Sequence, residues 1–321
     1  MTTRPGRAAI GMCFDRNFPP SAVTEFARRL EDGGVDEMWF IEDCFFTTAP
    51  PLAAAALSVT DGLTVGLGIL PAVARTAPIT AMEIATLAGM GPGRVVGGIG
   101  HGIQSWMAQM GVRPASPVTA LEEVIVAVKR LLAGETVNAQ GGYAVLDNVR
   151  LEQPPHPVPP VVAGVRGPRS LESAGRVADG VLLDGPCSPD YVRWAHAQCS
   201  ANDEFQIRCF GVMSLAATRQ QAYRNTAPFL SELLGGDHPT LAKLQFYSEL
   251  ADLNAAKGAG GLVGMPPDWW HSIGAIGTLD DAHAYLEAME AEGVMSISMF
   301  PAPEIDIARG QLSDVVTLAN R

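Results

Sequence analysis

Four stretches of this chain hold residues whose chemistry goes beyond packing. Glu42 and Asp43 are adjacent carboxylates at the end of an apolar run, Glu37–Asp43. On extended backbone, neighbouring side chains point to opposite faces, so one of the two can face a site and the other cannot. The inward one would accept a hydrogen bond or move a proton; the outward one suits a helix cap or a salt bridge. Gly98-Ile-Gly-His-Gly is a glycine-rich strand end that lets backbone approach a flat ring closely. Its His101 is the only one of six histidines at a strand end, and a candidate for acid–base work. Gly164-Val165-Arg166-Gly167-Pro168-Arg169-Ser170 leads straight into a helix, where free N–H groups, the helix dipole and two arginines would cradle a phosphate. Asp268-Trp269-Trp270, beside Met265-Pro266-Pro267, offers large apolar surface that serves either a core or the cover of an apolar substrate. Phe14, Phe45, Trp106 and Trp269 are the aromatic candidates for a substrate wall.

Other chemistries find no support. The glycine-rich stretch is not G-x-G-x-x-G, and no acidic strand end follows about 20 residues on, so the dinucleotide fingerprint fails. His156, His196, His238, His271 and His283 lack ligand spacing, and no metal site is expected. Neither a Gly-x-Ser-x-Gly elbow nor a Walker motif occurs.

The elements that must position these residues alternate between short β-branched runs and longer helical ones, the pattern of βαβ units around a parallel sheet. Strands are expected at Ala8–Phe14, Glu37–Asp43, Leu63–Leu70, Arg94–Gly100, Pro160–Val165, Gly180–Leu183, Phe205–Leu215 and Val294–Phe300. The spacing predicts helices after Ser21 as N-cap, over 51–59, 79–88, 171–177 and 191–198, and after Thr278. The clearest helix starts at Ser116-Pro117, buries Leu121, Val124, Ile125, Val128, Leu131 and Leu132, and stops at Gly134. Residues 135–158 read as a hairpin and a Pro-rich loop, and 218–277 as an insertion or lid. Eight strands favour a closed (β/α)8 TIM barrel, one domain over 1–321, above a doubly wound open sheet. In such a barrel the strand ends named above share one mouth.

A net charge of −12 with no block of Lys or Arg argues against nucleic acid and anionic membranes as partners. The apolar stretch Ala8–Phe14 is too short to span a bilayer. Five cysteines without a C-x-x-C pair suggest neither a disulfide framework nor a zinc site, and point to a reducing, cytoplasmic setting.

In Trp39-Phe-Ile-Glu-Asp-Cys-Phe, Val65-Gly-Leu-Gly-Ile-Leu-Pro, Gly93-Arg-Val-Val-Gly-Gly-Ile-Gly-His-Gly, Leu121-Glu-Glu…Leu131-Leu-Ala-Gly-Glu and Val162-Ala-Gly-Val-Arg-Gly-Pro-Arg-Ser-Leu…Ala174-Gly-Arg-Val-Ala-Asp-Gly-Val, the chain resembles the luciferase-like monooxygenase superfamily. Within it, the resemblance is to the branch that uses coenzyme F420, similar to methylenetetrahydromethanopterin reductase. It implies a TIM barrel with a lid, often a homodimer, and hydride transfer between a deazaflavin and a small organic substrate. Asp43 would sit near the ring, with Glu42 or His101 sharing the acid–base role. Gly68-Ile69 would form a bulge with a cis bond behind the ring. Gly100, His101 and Gly102 would flank the ring, and Gly164 through Arg169 would bind the phosphate. Many relatives have Asp-His where this chain has Asp43-Cys44. An FMN-dependent monooxygenase and a non-catalytic barrel with a decayed site are the alternatives.

Overall fold

A computed structural model describes residues 7–236 and 238–321. Eight parallel strands close into a barrel: β1 (Ala9–Phe14), β2 (Glu37–Phe40), β3 (Thr64–Pro71), β4 (Val95–Gly100), β7 (Val161–Gly164), β8 (Gly180–Leu183), β9 (Gln206–Leu215) and β11 (Val294–Phe300). The ring runs β9-β11-β1-β2-β3-β4-β7-β8, and β8 pairs back onto β9. The expected TIM barrel is therefore the observed one. β5 (Val137–Gln140) and β6 (Val145–Val149) make the separate antiparallel hairpin.

Helices α1 (Val23–Asp32), α2 (Ala49–Leu57), α3 (Ala77–Met90), α5 (Pro117–Leu132), α6 (Pro168–Val177), α7 (Pro189–Cys199), α11 (Leu279–Ala291) and α12 (Ile305–Ala319) surround the barrel, and the short α4 (Gln104–Gln109) follows β4. Ser116 caps α5, its Oγ accepting from the Thr119 N–H, and Thr278 with Asp281 forms a capping box on α11. Ser21 caps nothing. Pro19-Pro20 turns the chain first through a 3-10 turn, and α1 starts at Val23. α12 buries Ala308, Leu312, Val315 and Leu318 at helical spacing and packs beside β1, completing the eighth unit.

The insertion holds α8 (Arg219–Leu234), α9 (Tyr247–Leu262), α10 (Pro267–His271) and β10 (Ala275–Gly277), the last extending β9 in parallel. These elements close over their own apolar cluster, which includes Tyr223, Leu230, Leu250, Leu262 and Trp270. Trp270 is fully buried and stacks on Tyr223, so it is a core residue.

Alternation divides the barrel strands cleanly. Outward residues such as Met12, Met38, Phe40, Val65, Val161, Val181 and Leu183 join the helix-facing core. Inward ones, Cys13, Trp39, Val96, Val162, Leu182 and Phe210, fill the bore, with Ile41, Ile69 and Phe300 above them. At the bottom, Glu37 and Arg208 form a buried ion pair. Trp39 Nε1 donates to Glu37 at 2.8 Å, and Ser296 donates to the same carboxylate. A buried charge pair is tolerated where further hydrogen bonds satisfy it, as here. This cluster plugs the bore from below.

Candidate active site at the barrel mouth

The inward series continues past the strand ends. Cys13 leads to Asp15, Trp39 and Ile41 to Asp43, and Leu182 to Asp184. Three aspartates therefore stand at the top of the bore around an apolar floor of Ile69, Phe210 and Phe300. Asp43 is held by Arg16, whose Nη1 lies 2.6 Å from Oδ2 and whose guanidinium also covers the Phe46 ring. Asp184 accepts from the Gly185 N–H at 3.0 Å and meets Arg166 Nη1 at 3.1 Å. Desolvation at the mouth pushes the Asp184 carboxyl above the usual aspartate value, and the Asp43 charge adds to the rise. Arg166, His238 and the Gly185 N–H act against it.

Glu42 points the other way. Its carboxylate is buried, accepts from the Ala49 N–H at 2.9 Å and pairs with Arg75, Nη2 to Oε2 at 2.8 Å. Arg75 also reaches Glu83, so the three residues bind the loops after β2 and β3 to α2 and α3. With both oxygens engaged and its face turned outward, Glu42 positions the mouth and does not enter it.

His101 is also committed. Nδ1 lies 3.1 Å from the Pro117 carbonyl and Nε2 lies 2.8 Å from Ser170 Oγ. A carbonyl only accepts, so Nδ1 carries the proton and Nε2 accepts from the serine hydroxyl. Burial lowers the imidazole pKa, favouring this neutral tautomer. The residue pins the ends of α5 and α6 to β4. Beside it Gln104, which the sequence reading passed over, donates to the His101 and Gly102 carbonyls at 3.2 and 3.3 Å. Its Oε1 is buried without a partner.

The glycines also leave room for a neighbouring side chain. A Cβ on Gly100 would lie 2.2 Å from Ile69 Cδ1, and one on Gly164 would lie 2.4 Å from Ile69 Cγ2. Both make room for the Ile69 side chain, which sits where β3 bulges: pairing with β4 shifts between Leu67 and Leu70, and the Gly68–Ile69 bond is cis, as the resemblance implies. Gly102 adopts φ +65°, which a side chain rarely takes.

Around α6, Arg166 and Arg169 are exposed. Gly167 is an N-cap without a side-chain bond, and Pro168 occupies the first turn. Open space lies where a Gly167 side chain would be. Val165 turns outward into the core. Among the aromatic candidates, Phe14 is 1% exposed and packs edge-on against Phe18 and Phe26, behind the barrel wall. It therefore does not line the mouth; parity gives that face to Cys13 and Asp15. Phe45 is 66% exposed on the β2 loop, Trp106 is half-buried on α4, and Trp269 stacks on Phe246 within the insertion. Among the described residues, no helix is long and apolar enough to cross a membrane.

Comparison with known proteins agrees with this architecture. A 5,10-methylenetetrahydromethanopterin reductase of Methanolobus tindarius is 31% identical over 189 residues, 56% of each chain. An F420-dependent glucose-6-phosphate dehydrogenase of Microbacterium testaceum is 28% identical over 185 residues, 54% of this chain and 55% of that one. The aligned stretches thus span little more than half the length of these relatives. The solved structure of the coenzyme F420-dependent tetrahydromethanopterin reductase from Methanopyrus kandleri superposes with a TM-score of 0.80, covering 98% of both chains at 19% identity. The family model for luciferase-like monooxygenases matches residues 3–296, from before β1 into β11, and the chain belongs to that family.

Proposed function

We propose that this protein is an oxidoreductase that transfers hydride between coenzyme F420 and a small organic substrate at the barrel mouth. The observation that carries the reading is the bulged Gly68–Ile69 segment, raised between Gly100 and Gly164 as an apolar floor beneath two arginine-paired aspartates. The residues present fit the cofactor. Gln104 Oε1 is a buried acceptor awaiting a donor, and α6 presents an uncapped N-terminus with Arg169 beside it. Among the relatives, one acts on glucose 6-phosphate and another on a methanopterin, so what their names support in common is the cofactor and not the second substrate.

F420 supplies the hydride chemistry when bound; the chain supplies orientation, a dry floor and charge. Ile69 and Phe300 would buttress a ring from below. Asp43, in contact with Arg16, would accept a hydrogen bond at the ring edge. Gly102 and the 164–169 turn would hold the side chain and phosphate, and Phe45, Trp106 and Trp269 would shape the substrate side. The exposed Ile79, Met82 and Met90 on α3 support a homodimer, and five free cysteines suit a reducing, cytoplasmic compartment. The test is oxidation of reduced F420 under anaerobic conditions, followed by the return of its visible absorbance as small imines, enones and ketones are supplied. Turnover that requires oxygen would refute the reading in favour of a monooxygenase.

A further inference from the structure

The ring order of the strands places β2 and β8 four positions apart in a barrel of eight, directly across from each other. Asp43 and Asp184, both continuing the inward series, therefore face one another over the Ile69–Phe210–Phe300 floor, each with its own arginine. We propose that Asp184 is the proton-transfer residue, acting on the substrate heteroatom from the side of the mouth opposite Asp43. The assignment rests on the F420 reading for the hydride and on this chain alone for the proton.

The two carboxylates are not equivalent. Asp43 is locked in a 2.6 Å contact with Arg16, which leaves it the role of acceptor. Asp184 is held more loosely, 3.1 Å from Arg166, and is half-exposed to whatever enters the mouth. The groups that face it come from every side: Arg166 after β7, His238 from the insertion, Asp43 after β2, Cys13 from β1, and Cys187 and Tyr191 from its own loop and α7. Burial raises both thiols and the phenol, so these three remain neutral near pH 7 and add no charge beside the carboxyl. A carboxyl displaced upward keeps its proton to higher pH than an ordinary aspartate, the direction a proton donor needs.

In the reducing direction, the carbon of a C=O or C=N bond accepts the hydride, two electrons from the reduced deazaflavin, and the π pair moves onto the heteroatom. The Asp184 O–H bond breaks and its proton joins that heteroatom. Solvent reprotonates the carboxylate, balancing the proton that the oxidised ring releases. The apolar floor and the exposed Phe45 favour an uncharged substrate.

The experiment uses the full-length protein labelled with carboxyl-13C aspartate, without cofactor, titrated by NMR, with D184N assigning the resonance. Asp184 is expected to titrate above the ordinary aspartate value, and D43N to bring it down. In parallel, F420-dependent reduction of 2-cyclohexen-1-one, acetone and 1-pyrroline is measured. D184N should lose about 100-fold in kcat, D184E should recover part of it, and the F420 Kd should stay within about threefold of wild type. A midpoint at or below the ordinary value, or a D184N kcat within about threefold of wild type, overturns the assignment of Asp184. An F420 affinity that falls in D184N as far as in R166A overturns it too, making the residue a phosphate-loop anchor. Wild-type protein that reduces none of the three probes overturns the substrate chemistry. Wild-type protein that does not bind F420 overturns the cofactor reading, whatever the titration shows.

Discussion

The fit between Gly164 and Ile69 makes a sharp prediction. The three heavy atoms nearest a Cβ placed on Gly164 all belong to Ile69: Cγ2 at 2.4 Å, Cβ at 3.4 Å and Cγ1 at 3.6 Å. Gly164→Ala therefore drives a methyl into the Ile69 side chain, where its one clash lies. Overpacking of this kind costs about 1–3 kcal/mol. Ile69→Ala alone removes the clashing Cγ2 but leaves a partial cavity, and since the residue is only half-buried the loss is about 1–2 kcal/mol, below the range for a full core site. In the double variant the nearest remaining contact is the residue 69 Cβ at 3.4 Å, an ordinary approach. The new methyl then fills part of the space that isoleucine vacated. The two changes should compensate, with a favourable coupling of about 1–2 kcal/mol. Urea unfolding of the four proteins, read by fluorescence, gives the cycle, and F420 titration of the same four shows whether the floor has been restored. Additivity within about 0.3–0.5 kcal/mol would refute the reasoning, because it would mean that Ile69 does not rest on Gly164.

Three further outcomes are expected. Arg75→Met should destabilise the fold by about 3–5 kcal/mol in urea, since it strands the buried Glu42 carboxylate, whereas Arg75→Met with Glu42→Gln should recover much of the loss. His101 has a folded pKa below its unfolded value, so its share of stability is present above about pH 6.5 and is lost as pH falls, when the unfolded chain binds the extra proton. His101→Gln should therefore shrink the drop in stability between pH 7.5 and 5.5, which urea midpoints at the two values will show. Arg169→Ala, which removes an exposed cation at the α6 N-terminus, should weaken F420 binding about tenfold at low salt, as one charge-assisted contact would. The difference should narrow as ionic strength rises, measured by fluorescence titration.

The barrel was legible because its strands are short apolar runs punctuated by glycine and capped helices: Gly180–Leu183 and Val294–Phe300 end where the sequence says, and so does the helix that Ser116 starts. α12 was equally visible in the spacing of Ala308, Leu312, Val315 and Leu318, but the strand count was already full without it. At the site, alternation dictated that only one of Glu42 and Asp43 could face inward. Which one followed from Trp39, whose bulk lies in the bore, and a large aromatic gives no such sign from sequence. The partners that settle each role are far along the chain. Arg16 and Arg75 lie 27 and 33 residues from the carboxylates they hold, and Ser170 lies 69 residues from His101. Residue type alone cannot distinguish a committed histidine from a free one, nor reveal that Gly100 and Gly164 yield space to a side chain. Asp184 stood at a strand end in the sequence, but only ring closure sets it opposite Asp43.

The central claim, that the mouth is built for a deazaflavin, is tested most directly by titrating purified full-length protein with F420 and with FMN under identical conditions. The account predicts an F420 Kd of about micromolar or tighter, about −8 kcal/mol, with FMN bound at least tenfold more weakly. FMN binding as tight as F420, or tighter, would contradict it.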